Sequence, residues 1–210
     1  MADTYLQYGC GLCAPEGWLN FDASPSLRLR KIPVLGGLFK RYTPPFPANV
    51  LYGDIVRGLP VPPASCRAVY CSHVLEHLAL EDCRTALRNT YQYLGPKGVF
   101  RFVLPDLQVL ARQYIESDDH DAALKFIMYT GLGRINRPRS LYAFLTEWLG
   151  NRRHLWLWDL KSISHELEEV GFTHIRPASF GDSTEAPFEQ VEDVDRWKNC
   201  LGVECVRPAR

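Results

Sequence analysis

The 210-residue chain, 46% hydrophobic, has the size of one domain with a large core, and its 24 basic and 24 acidic side chains cancel to a formal charge of zero. That balance gives no global field toward nucleic acid or an anionic membrane, and the apolar runs are broken by charges or prolines well short of a membrane span. No basic segment followed by an apolar run opens the chain, and seven cysteines without framework-like spacing suit a reducing compartment, so a soluble cytoplasmic protein without structural disulfides is expected.

Thr4 to Tyr8 read as a short strand that runs into the turn Gly9-Cys10-Gly11. Glycines at the end of an apolar strand let the backbone turn sharply and approach a ligand closely. Only ten residues separate Gly11 from Asp22, and they include Pro15, Gly17 and the strand-like run Trp18 to Phe21, which leaves no room for a full helix. A dinucleotide site needs a helix N-terminus for its pyrophosphate and an acidic residue about 20 residues beyond the glycines. A cofactor without phosphates loses little by that omission if a carboxylate at the end of the second strand reaches its ribose hydroxyls. S-adenosylmethionine is such a cofactor, and Asp22 is the candidate carboxylate. Its place before Ser24-Pro25 equally suits a turn or a helix cap.

Leu27 to Pro47 interleaves Arg28, Arg30, Lys31, Lys40 and Arg41 with apolar residues, glycines and prolines, and reads as a solvated irregular excursion. Asn49 to Tyr52 forms a third short strand ending in Gly53-Asp54-Ile55, where an acceptor can take the exocyclic amine of adenine and Ile55 can pack on the ring; a turn aspartate is the alternative. Arg67 to Ser72 is a fourth strand, leading into His73-Val74-Leu75-Glu76-His77. On a helix the two histidines would share one face, and H-x-x-E-H is the inverted zincin pattern, in which Glu147 would complete a zinc site. Glu81 to Leu94 has helical apolar spacing and stops at Gly95-Pro96-Lys97-Gly98; Val99 to Leu104 is a buried strand ending at Pro105-Asp106.

Residues Leu107 to Leu157 carry only helical segments and the aromatics Tyr114, Phe126, Tyr129, Tyr142, Phe144 and Trp148, which reads as a helical insertion over the ligand edge. Arg134, Arg137, Arg139, Arg152 and Arg153 cluster there, either solvated or facing an anionic substrate. Asp159 is an N-cap for Leu160 to Val170, stopped by Gly171. Phe172 to Phe180 and Leu201 to Arg207 are the last strands, joined by an acidic, irregular stretch, Asp182 to Asp195, whose length fits an antiparallel final strand.

In order, the segments Leu6 to Gly11, Gly17 to Asp22, Gly53-Asp54-Ile55, Ser72 to Leu78, Leu94 to Gly98 and Val103 to Leu107 resemble class I S-adenosylmethionine-dependent methyltransferases, in particular a short type-11-like branch with a reduced first helix. The resemblance implies an α/β, Rossmann-like seven-stranded sheet with only the last strand antiparallel. It also implies one domain over residues 1–210, with 107–157 a substrate cap within it. Tyr8, Gly9, Cys10 and Gly11 would pass the methionyl part of the cofactor, Asp22 the ribose, Asp54 and Ile55 the adenine, and Ser72 with His73 the sulfonium.

His73, and His154 at the end of the insertion, are the candidate catalytic residues as proton acceptors, with structural or cofactor-packing roles as the alternative. No metal is needed on this reading. The rivals are a non-catalytic S-adenosylmethionine-binding module and a zinc metallopeptidase using His73, Glu76 and His77. The Cys10-Gly11-Leu12-Cys13 pair lacks the following helix that would lower a redox thiol's pKa. The expected acceptor is a small molecule, a sugar or other anionic metabolite; oligomeric state is not legible.

Overall fold

The computed structural model describes residues 4–30, 45–137, 139–140 and 153–209. Seven strands form one sheet: β1 (Thr4–Tyr8), β2 (Trp18–Asp22), β3 (Val50–Tyr52), β4 (Cys66–Ser72), β5 (Leu94–Pro105), β6 (Thr173–Ala178) and β7 (Cys200–Val206), in the order β3-β2-β1-β4-β5-β7-β6. The first five pair in parallel, and β7 runs antiparallel to both its neighbours, β5 and β6. This is the expected sheet. The glycine turn before the fifth strand is drawn into it: pairing already starts at Leu94, and the Gly95-Pro96-Lys97-Gly98 stretch survives as a register shift opposite Cys66 to Ala68, with Lys97 at φ +61°.

Alternation along the strands buries both faces. Leu6, Tyr8, Val69, Cys71, Phe100 and Phe102 lie under helix α2 (Leu80–Tyr93) and the later helix Leu160–Val170. Crossovers between parallel strands are right-handed. The β1 to β2 step moves opposite to the β4 to β5 step, so a helix between β1 and β2 would cover the other face. It is absent, and that face, with Trp18, Ala68, Tyr70 and Val103, is covered instead by Phe188, Val191 and Trp197 of the connection between β6 and β7. The stretch read as irregular therefore contains a 3-10 turn (Ala186–Gln190) and a short helix (Val194–Trp197). Gln7 and Asn20, buried on the same face, bond to each other at 2.6 Å and to the carbonyls of Cys13 and Pro15, fixing the helix-free loop.

A charged network clamps this covering segment. The wholly buried Arg101 of β5 pairs with Glu192, with Asp182 at 2.8 Å and with Glu204 of β7 at 3.1 Å, and its guanidinium lies 4.7 Å from the Trp197 ring centroid. Arg176 of β6 pairs with Asp182 and Glu204 as well.

Three more helices among the described residues are α1 (Pro25–Arg30), α3 (Leu107–Ile115) and α4 (Ala122–Tyr129), the last two packed through Tyr114 and Phe126 with ring centroids 5.3 Å apart. Leu160–Val170 becomes α5, with Asp159 and Ser162 forming a reciprocal cap and Gly171 closing it at φ +105°; Val194–Trp197 is α6. Arg134, Arg137 and Arg139 are exposed. Tyr142, Phe144, Glu147, Trp148 and Arg152 of the insertion, and 31–44 of the basic excursion, lie outside the described residues. No helix among the described residues is long and apolar enough to cross a membrane.

Candidate functional site

The strand order reverses between β1 and β4, and in open α/β sheets ligands bind outside the carboxyl ends of the strands at such a point. Gly9 leaves β1 at φ +66° and Gly11 follows at +56°. A Cβ on Gly9 would sit 2.2 Å from Cγ2 of Val74, so only glycine lets the turn lie against the β4 end.

Three strand ends are tied together here. The Cys10 amide donates to the Phe21 carbonyl, the Gly11 amide to Asp22 Oδ2 at 2.9 Å, and the Gly53 amide to the Asp22 carbonyl. The other Asp22 oxygen accepts from the Ser24 amide at 2.7 Å. These contacts are those of the turn reading of Asp22, and each carboxylate oxygen retains a second lone pair. Asp54 accepts from the Val56 amide, and its carboxylate is 30% exposed. The side chains of Tyr8 and Ile55 are buried in the main core, so these two residues bring their backbones, rather than side-chain surface, to the edge. Burial, with the Asp22 charge, pushes the Cys10 thiol up to about 12, and burial also raises Cys13, the reverse of an activated redox pair.

At the β4 end, Arg196 of α6 donates to Ser72 Oγ at 2.7 Å and to the Ser72 carbonyl at 2.8 Å. His73, at φ +52°, donates from Nδ1 to Glu76 Oε1 at 3.0 Å and from Nε2 to the Arg196 carbonyl at 2.9 Å. Burial lowers its affinity for a proton, but the contacts with Cys200, Glu76 and Arg196 outweigh that and raise its pKa to about 10. His73 is therefore a charged clasp with both nitrogens committed.

The H-x-x-E-H run is not helical: Leu75–His77 is a single 3-10 turn, Leu78 is extended and α2 starts only at Leu80, which separates the two histidines. His77 faces His154 instead, with ring centroids 4.9 Å apart. Both ends of the insertion return to this edge, since the Leu107 amide bonds the Trp158 carbonyl and the Leu155 and Trp156 amides bond the Glu76 carbonyl. The structure thus gathers Gly9, Cys10, Gly11, Asp22, Asp54, Ser72 and His73 at one sheet edge and sets His154 against the turn that follows it. Sequence reasoning missed Arg196, which sits in an acidic stretch with no periodic signal.

The methyltransferase-domain family matches residues 8–176 of the chain. No curated protein matches it in sequence. Among solved structures, an S-adenosylmethionine-dependent methyltransferase of Archaeoglobus fulgidus is 16% identical with a TM-score of 0.50, over 97% of this chain and 85% of that one. Phosphoethanolamine N-methyltransferase 2 of Haemonchus contortus is 14% identical with a TM-score of 0.50, over 99% of this chain and 49% of its own. The CMeT domain of a citrinin polyketide synthase is 14% identical with a TM-score of 0.51, over 99% and 47%. This chain spans about half the length of the last two. At these identities the likeness speaks for the fold, while the family match covers most of the chain. The chain belongs to the methyltransferase domain family and, with this sheet, to the class I S-adenosylmethionine-dependent methyltransferases.

Proposed function

We propose that the edge formed by Gly9 to Gly11, Asp22, Asp54 and Ser72 holds S-adenosylmethionine and that the chain transfers its methyl group to a small-molecule acceptor. The observation that carries this is the meeting of two positive-φ glycines with a buried carboxylate at the β1/β4 reversal, with no helix N-terminus to hold phosphates. Held there by Gly9 to Gly11, Asp22 and Asp54, S-adenosylmethionine would supply a methyl activated by its sulfonium, with the S–C electron pair left on sulfur and any acceptor proton passed to solvent.

The protein's part is alignment and exclusion of water. Asp22 takes the ribose hydroxyls, Asp54 the adenine amine, and the Gly9 to Gly11 backbone the methionyl chain, whose carboxylate Arg196 neutralises. His73 positions the turn beside the methyl through Glu76. His154, whose Nδ1 is tied to the Thr130 carbonyl, borders the acceptor side as a fixed ring at the returning end of the insertion. A chain without net charge, with seven free thiols, supports a small acceptor rather than a polyanion and a reducing cytoplasm.

The test is calorimetric titration with S-adenosylmethionine and S-adenosylhomocysteine. Micromolar-range binding, weakened about 10- to 100-fold by Asp22→Ala, is the expected result for loss of a charge-assisted pair of hydrogen bonds. Absence of binding to either ligand would end this reading.

A further inference from the structure

The geometry points to a site for a divalent transition-metal ion, with zinc as its best-matched occupant, built by Glu76, His77 and His154. One ligand atom of each lies within 4.8 Å of those of the other two. Glu76 and His77 are neighbours on the 3-10 turn, and His154 arrives from the returning end of the insertion. The two segments are locked by main chain, the Leu155 and Trp156 amides donating to the Glu76 carbonyl at 2.7 and 3.2 Å.

Each imidazole is oriented for ligation. His77 Nδ1 lies 2.7 Å from the Arg153 carbonyl and His154 Nδ1 lies 2.7 Å from the Thr130 carbonyl. A carbonyl only accepts, so both Nδ1 atoms carry the hydrogen and both Nε2 atoms keep a lone pair, which is how backbone carbonyls orient metal-binding histidines. Gly131 makes room for the second ring, because a Cβ there would stand 2.5 Å from His154 Nδ1.

An independent observation comes from Glu76. Its side chain is wholly buried; Oε1 accepts from His73, and Oε2 has no hydrogen-bond partner. A buried carboxylate oxygen without a partner is costly, and a bound cation removes the cost. Two imidazoles and one carboxylate suit zinc, and three protein ligands leave a position for exchangeable water or an acceptor oxygen. Ligand atoms around zinc at about 2.1 Å stand about 3.4 Å apart in a tetrahedron, so the three side chains draw together on binding. His73 takes no part as a ligand; it holds the second oxygen of Glu76 from outside. This site departs from the expectation that no metal is needed, and its ligand set differs from that of the peptidase pattern.

The test uses the full chain stripped with chelator, then titrated with Zn²⁺ against a chromophoric competitor and with Co²⁺ followed by its visible absorption. About one equivalent should bind, Zn²⁺ should shift the ¹⁵N resonances of His77 and His154, and folded His154→Ala should bind at least about 100-fold more weakly. Glu76→Gln should behave likewise, while His165→Ala, on the exposed side of α5, should match the parent. No binding, unshifted histidine resonances, or binding that survives His154→Ala would overturn the site. No cofactor or acceptor is needed, so the result is independent of the proposed transfer.

Discussion

Replacing Arg101 with Leu tests whether the covering segment is clamped by charge. Arg101 is wholly buried and faces Glu192, which is 1% exposed, Glu204 at 11% and Asp182 at 33%. Removing one partner of a buried ion pair costs about 3–5 kcal/mol, because the carboxylates left behind lose their compensation. For a chain of this size each kcal/mol shifts the melting temperature by about 2–4 °C, so Arg101→Leu should lower it by about 6–20 °C in a calorimetric scan. The double variant Arg101→Leu, Glu192→Leu removes the most buried orphaned carboxylate and should regain at least about half of that loss. A single-variant shift under about 2 °C would refute the reasoning. So would a double variant less stable than the single one.

Gly9→Ala should be destabilised by its left-handed backbone, about 1–2 kcal/mol, plus the clash with Val74; in denaturant melts, adding Val74→Ala should relieve the clash and leave the backbone cost. His73→Ala should lose about tenfold in kcat while the cofactor Kd stays within about threefold, since His73 positions Glu76 and meets Arg196 only at its backbone carbonyl, away from the guanidinium; an unchanged kcat would remove it from the mechanism. Burial alone would raise the Asp182 carboxyl, but Arg176, the Ser179 amide and Arg101 hold it well below the usual range. Its contribution is therefore complete above the unfolded value of about 4 and is lost as pH falls toward the folded one. Melts between about pH 5 and 2 should show Asp182→Asn with a shallower acid slope than the parent, and superimposed slopes would contradict the linkage.

The features legible in the sequence are those set by neighbours along the chain. Gly9 and Gly11 ending an apolar strand, Asp22 and Asp54 at strand ends, and the Asp159 cap with its Gly171 stop all carry local signals. Those that escaped depend on distance in sequence. His154 meets His77 across a separation of 77 residues in the chain, and nothing in the spacing of either announces it. Arg101 reads as one basic residue in an apolar run, and its meaning appears only when Asp182, Glu192 and Glu204 arrive from beyond residue 180. Phe188, Val191 and Trp197 are too sparse among acidic residues to show a period, yet they form half of a core face. The H-x-x-E-H run left its backbone open, because i and i+4 spacing says nothing about conformation, and the positive φ at His73 precludes a helix through it.

The replacement of the first crossover helix by a late connection has a consequence for how the chain matures on the ribosome. Trp18 and Tyr70 emerge early, but the side chains that cover them emerge after residue 187, and β7, which joins β5 to β6, is made last of all the strands. A nascent chain halted after β6 presents a bare aromatic face and an unpaired β5 edge, both of which invite association. The core face begun at Trp18 is therefore closed only once the stretch from Phe188 through β7 has been made.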